Sequence, residues 1–178
     1  VIAWDAIEDA VRAWVVATAG IDADSIYFAD QDLPFSEVAP RISIRIGDGN
    51  RVGQAALQHD FDAGRPLGEE VEFKAQQMLE VVVDLQAFAP TTTGSGMTAR
   101  RFLASVLAGL ALPSVRDALN AAGLGVLEEG SIQRVPQVRS AAHEDRAVAS
   151  VRMLVKQEAT ERTGYIEEVE TSGTIDDA

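Results

Sequence analysis

Two histidines, His59 and His143, are the side chains best suited to metal ligation or proton transfer near neutral pH. His59 stands beside Asp60, and His143 beside Glu144 and Asp145. A metal site needs several ligands converging from defined spacings, and neither H-x-x-x-H nor H-E-x-x-H occurs in the chain. Both histidines are therefore expected to be ordinary surface residues. Gly47-Asp48-Gly49-Asn50-Arg51-Val52-Gly53 follows a strand-like segment, as a phosphate cradle would. It misses the dinucleotide glycine spacing by one residue, leads into no strong helix and carries no Walker lysine. A turn at a strand end explains it better. Asp22-Ala23-Asp24-Ser25 and Asp30-Gln31-Asp32 offer carboxylates, but a calcium loop needs more oxygens and a distal Glu. Ser95 and Ser131 lie near glycines without forming a G-x-S-x-G elbow. Glu128-Glu129 and Glu167-Glu168 are adjacent pairs, and adjacent strand residues point to opposite faces, so neither makes an acid/base dyad. Cysteine is absent, which removes thiolate zinc, iron–sulfur and cysteine-nucleophile chemistry, and disulfides with them. The residues assign no catalytic, cofactor-binding or metal-binding position, and the expectation is a non-enzymatic protein without a cofactor.

The elements that would have to position any chemistry belong to a chain of 178 residues and 19.0 kDa, enough for one domain with a sizeable core. Hydrophobic residues make up 47% and charged residues 24%, a globular rather than a disordered composition. No uninterrupted apolar stretch reaches the length of a membrane helix, and the acidic start from Asp5 does not read as a signal peptide. The net charge of −13 is concentrated at the ends. Residues 1–30 carry six acids against Arg12, and residues 157–178 carry seven against Arg162, so the middle is nearly neutral.

Trp4, Ile7, Val11, Trp14, Val15 and Thr18 repeat at helical spacing, with Asp5, Glu8, Asp9 and Arg12 opposite and Gly20 as a stop. Ile26–Ala29 reads as a short strand, broken by Asp30–Pro34, with Pro40 marking a further boundary. Arg41–Ile46 alternates cleanly, with Ile42, Ile44 and Ile46 on one face and Arg41, Ser43 and Arg45 on the other. Residues 47–68 show no lasting periodicity and several glycines, which predicts an extended loop. Glu70–Ala89 and Arg146–Glu161 are long alternating stretches. Twenty residues of strand span ~65 Å at ~3.3 Å each, against a globule of ~16 Å radius of gyration. Such a strand must bend, split near Gln76-Gln77 or project, and a projecting hairpin needs a neighbour for its edges. Thr91–Gly96 reads as a connector, followed by a helix capped by Thr98 with the stripe Phe102, Leu103, Val106, Leu107 and Leu110. Pro113 interrupts it, Ser114–Ala122 restarts a helix, and Leu124–Leu127, Ser131–Val138 and Tyr165–Val169 read as short strands. The order predicts an α+β fold with a mainly antiparallel β-sheet, an N-terminal amphipathic helix and a central helix pair packed on it.

Several of these segments, in order, resemble the tail terminator, or neck terminator, proteins of tailed bacteriophages. They are the Trp-containing first helix, Ile26-Tyr27-Phe28-Ala29-Asp30-Gln31 with Pro34 and Pro40, and the strand Arg41–Ile46. Val81–Phe88, Leu112-Pro113-Ser114-Val115 and the closing Tyr165-Ile166-Glu167-Glu168-Val169 complete the likeness. The resemblance implies a single domain over 1–170, with the extended loop at 47–68 and an acidic tail at 171–178. It implies a virion structural protein at the neck, the head–tail interface, assembled in the host cytoplasm. It further implies a homo-oligomeric ring, typically of six subunits, that stops tail-tube growth and meets a head-side connector or stopper while DNA passes through its lumen. No membrane partner follows. The competing readings are another head–tail connector or tail-tube component and, more distantly, a small cytoplasmic enzyme or ligand-binding protein.

The charge makes one expectation measurable. A chain at −13 lacks the cationic surface needed to displace counterions from phosphates. The free protein is expected to bind duplex DNA more weakly than about 1 μM at ~150 mM salt, the tight end of non-specific binding. An anisotropy titration across salt checks this, and tighter binding overturns it.

Overall fold

The computed structural model describes residues 3–30, 40–66, 68–90, 98–135, 137–139 and 142–163. The predicted strand at Tyr165–Val169, the acidic end, the Thr91–Gly96 connector and the Pro34 segment lie outside them. Among the described residues the chain folds as α1 (Trp4–Ala19), β1 (Ile26–Phe28), β2 (Arg41–Ile46), β3 (Asn50–Phe61) and β4 (Val71–Pro90). Next come α2 (Ala99–Gly109), α3 (Pro113–Ala121), β5 (Leu124–Glu129), β6 (Gln133–Arg134), β7 (Gln137–Arg139) and β8 (Ala142–Thr163). One sheet runs β1-β2-β4-β8-β5, with β3 also on β4, and β6 and β7 also on β8. Only β1 and β2 are parallel, so the α+β, mainly antiparallel expectation holds.

The frame is the ladder between β4 and β8. It runs without a register break from Val71 opposite Thr163 to Pro90 opposite Glu144. Odd-numbered residues from Leu79 to Ala89 and from Asp145 to Val155 are buried on one face. The three helices cover that face, and Ile26, Ile42 and Ile44 complete it at the β1–β2 side. Of the sequence stripe on α1, Ile7, Val11, Trp14 and Val15 enter the core, whereas Trp4 remains 39% exposed. The stripe runs one helical turn past the layer that covers it.

Two polar contacts fix the helices. Trp14 Nε1 donates to the Val106 carbonyl at 3.0 Å, in the last turn of α2, where carbonyls lack intrahelical partners. At the other end of α2, the buried Asp145 carboxylate accepts from the Ala99 amide at 2.9 Å and from Arg134 Nε at 2.8 Å. It thereby satisfies an orphan N–H of the first turn and ties α2 to β8 and β6. Thr98 caps the same turn as expected, accepting from the Arg101 amide. Between α1 and α2 the approach requires glycine, since a Cβ on Gly109 would meet Thr18 Cγ2 at 2.3 Å.

The segment predicted as a loop is largely a strand. β3 pairs with the outer half of β4, and all twelve of its residues are exposed. Its hydrogen bonds come from β4, and with neither face covered nothing imposes an apolar alternation that a sequence could show. Gly53, at φ 73, sits in a bulge where the register shifts between Val52 and Ala56. The long strands resolve their length by projecting, with no split at Gln76-Gln77.

Trp14→Ala should lose the fully packed indole and its hydrogen bond, costing about 3–5 kcal/mol in a denaturant melt. Trp4→Ala should stay within about 0.5 kcal/mol, as surface substitutions do.

Candidate assembly surface

Beyond Leu79 the sheet continues without helices. Residues 50–61, 71–79 and 155–163 form a three-stranded arm, β3-β4-β8, about 30 Å long at ~3.3 Å per residue. Its far end is closed by a turn that bonds to itself. The Asp62 amide donates to the Glu70 carbonyl, the Gly64 amide to Asp62 Oδ1, and the Gly68 amide to Glu70 Oε2, each at 2.9 Å.

The pleat gives the arm two unlike faces. On one, continuous with the helix-covered face, Phe61, Val71 and Thr163 lie in one row, His59, Phe73 and Glu161 in the next, and Leu57, Ala75 and Ala159 in a third. Leu57 is 68% exposed and Phe61 49%, and none of the three described helices lies over them. His59 tilts against Phe73 with ring centroids 6.4 Å apart. The other face is a lattice of ion pairs. Buried Glu72 meets Lys74 at 2.8 Å and Arg162 at 3.1 Å, with Arg65 at 3.8 Å. Glu158 meets Lys156 at 2.8 Å and accepts from Gln76 at 2.8 Å. Where the arm joins the body, Arg152 bridges Glu80 at 2.8 Å and Glu128 at 2.6 Å. These acids and bases nearly cancel, so the arm's charged face is not a source of the chain's negative surplus. That surplus lies partly on α1, where Asp5, Glu8 and Asp9 are exposed.

Among the described residues, those singled out for chemistry do not converge. His59 is on the arm among aromatic and aliphatic neighbours, and the side chain of His143 lies outside the described residues. No cluster of three metal-ligating side chains occurs among the described residues. Gly47 bonds backbone to backbone with Val82 between β2 and β3. The Asp22 carbonyl accepts from the Ser25 amide in a short turn, and Glu128 is engaged by Arg152. Arg41 and Arg45, alike in sequence, separate. Arg45 is exposed, while Arg41 is buried in a 2.7 Å ion pair with Glu144 and lies 4.4 Å over the Phe88 ring. A cavity of about 180 Å³ beside Arg116 and Asn120 and another of about 270 Å³ beside Ser131 and Ser150 are both smaller than ordinary ligand pockets of ~300–1,000 Å³. What sequence reasoning missed is β3. The turn residues Asp62-Ala63-Gly64 behind Leu57, His59 and Phe61 were its one local signal.

A covered body carrying an uncovered arm is the build of an assembly subunit. The family model for "Phage neck terminator protein" matches residues 5–178, and the chain belongs to that family: it is a structural protein of the bacteriophage neck, a tail terminator. Among solved structures it is similar to a sheath/tube terminator of an extracellular contractile injection system, PVC, in the extended state. The identity is 16% and the TM-score 0.49, over 98% of this chain and 64% of that one, so this chain spans under two-thirds of its length. A second solved chain is 13% identical at TM-score 0.40, over 87% of this chain and 96% of its own. The curated proteins contain no match.

The ion-pair lattice gives the arm a pH dependence. Lys74, then Arg162, hold the Glu72 carboxyl below the ordinary glutamate value of 4.5; Arg152 does the same to Glu80, and Lys156 to Glu158. A lowered folded-state pKa means stabilisation that is complete above about 4.5 and lost as pH falls through the folded-state values. Amide-exchange protection at 155–163, taken relative to the intrinsic rate at each pH, should therefore fall below pH 4.5 before protection in the body does. Glu72→Gln should weaken that dependence.

Proposed function

We propose that this terminator assembles as a ring, of six copies, on the head-proximal end of the tail tube, with its arms in the contacts. The ring stops tube growth, presents a surface to the head-side connector or stopper, and leaves a lumen for DNA. In this reading residues 1–170 act as one domain with an acidic tail at 171–178, no catalysis is involved, and assembly occurs in the host cytoplasm. One observation carries it: among the described residues, the arm extends its strands past every helix and leaves Leu57 68% exposed. An exposed apolar sheet of this kind is an association surface, because a monomer gains nothing by holding it in water.

Mixing the protein with purified tail tubes distinguishes the roles. A terminator caps one end and arrests growth, whereas a tube subunit elongates. Replacing residues 54–76 by a short glycine-rich turn should preserve the body's melting transition and abolish rings and capped tubes in negative-stain images. Normal capping by that variant would remove the arm from the mechanism.

A further inference from the structure

The helix layer carries opposite charge on its two flanks, at one level. Trp14 bonds to Val106, and Thr18 abuts Gly109. Residue numbers rise together along these contacts, so α1 and α2 run in the same direction. Asp9 stands nine residues before Thr18, and Arg100 nine residues before Gly109. Nine residues make two and a half turns at ~3.6 residues per turn, so each side chain leaves its helix on the side away from the other helix. Both also lie ~13.5 Å back along the helix from the Thr18–Gly109 contact, which sets them level.

α1 packs on β1, α2 lies over β4 and β8, and the sheet runs from β1 at one end to β5 at the other. Asp9 therefore points out on the β1 flank and Arg100 on the β5 flank. Asp5 and Glu8 accompany Asp9, while Arg101 and the Asp145-bound Arg134 of β6 stand near Arg100. The imbalance extends beyond these side chains. Residues 3–25 hold five acids against Arg12, and residues 98–139 hold five bases against three acids. Asp5, Asp9, Arg100 and Arg101 are exposed, and among the described residues no ion pair engages them. On the arm and at its base, by contrast, Lys74, Arg152, Lys156 and Arg162 are all paired.

We infer that the β1 flank of one subunit meets the β5 flank of the next, with Asp5 and Asp9 of α1 paired to Arg100 and Arg101 of the neighbour's α2. The inference rests on the ring reading above and specifies a contact within it. Rotation about an axis parallel to the two helices keeps levels, and so brings Asp9 of one copy level with Arg100 of the next. A two-fold dimer joins like flanks and sets acid against acid, whereas head-to-tail joining sets acid against base all round the ring. Charge complementarity of this kind fixes orientation and register more than affinity. It thus determines which flank meets which, while the arms supply apolar area.

Charge exchange tests the contact on the full chain. The protein is mixed with purified tail tubes, and capped ends are counted in negative-stain images across protein concentration at ~150 mM salt. Asp5→Arg with Asp9→Arg, and separately Arg100→Asp with Arg101→Asp, should each raise the concentration needed for capping about tenfold or more. All four substitutions together should restore it to within about threefold of the unsubstituted chain. Each defect should shrink at ~1 M salt, where charges act over only about 3 Å. Asp9→Asn and Arg100→Gln carry the test where a reversal disturbs folding, and their combined loss should be no larger than the greater single loss. Unchanged capping by both reversed pairs would overturn the contact and leave the ring reading standing. A loss that the fourfold exchange does not restore would overturn it too, and would assign that flank to a different partner. Absence of rings from the unsubstituted protein on tubes would overturn both readings.

Discussion

The β4–β8 ladder outruns the helices that cover it. Both strands keep one register for twenty residues, while buried positions on the helix side stop at Leu79 and Val155. Everything peculiar to this molecule follows from that mismatch. Where helices lie on the sheet there is an ordinary two-layer core. Where they do not, the same two strands continue with β3 as a three-stranded arm. The hydrophobic term that stabilises the body is incomplete in the arm, and what holds the arm in isolation is its ladder and its ion pairs.

The body is correspondingly fixed. Trp14 and Asp145 act at opposite ends of α2, one donating to an orphan carbonyl and the other accepting from an orphan amide. A helix held at both poles cannot slide along the sheet to cover more of it. Gly109 against Thr18 sets how closely α1 follows. The length of the covered zone is thus determined by side-chain contacts, and with it the point at which the arm begins.

The arm's two faces divide their work. The paired charges on one face hold its strands in register and resist collapse of that face onto apolar surfaces. They also leave it almost neutral, so it offers neither strong attraction nor strong repulsion to a polyanion. The exposed carboxylates of α1 keep the body acidic. At physiological salt such charges act over about 8–10 Å, enough to discourage adhesion of nucleic acid to surfaces near them.

The sequence by itself determined the covered part of the fold. Ile42, Ile44 and the odd positions of β4 and β8 alternate because one side of the sheet is dry, and that pressure writes itself into residue type. The helix stripes and the Thr98 cap were legible for the same reason: they are local patterns. Resemblance in order along the chain also gave the family. β3 was not legible, because both its faces are wet and its bonds come from a strand whose choice of partner is non-local. Arg41 and Arg45 are equivalent in their hexapeptide. Only the pairing of β2 with β4 and of β4 with β8 brings Phe88 and Glu144 to the first and leaves the second in water. Tertiary structure decided these points because burial and hydrogen-bond partnership are properties of what arrives from elsewhere in the chain.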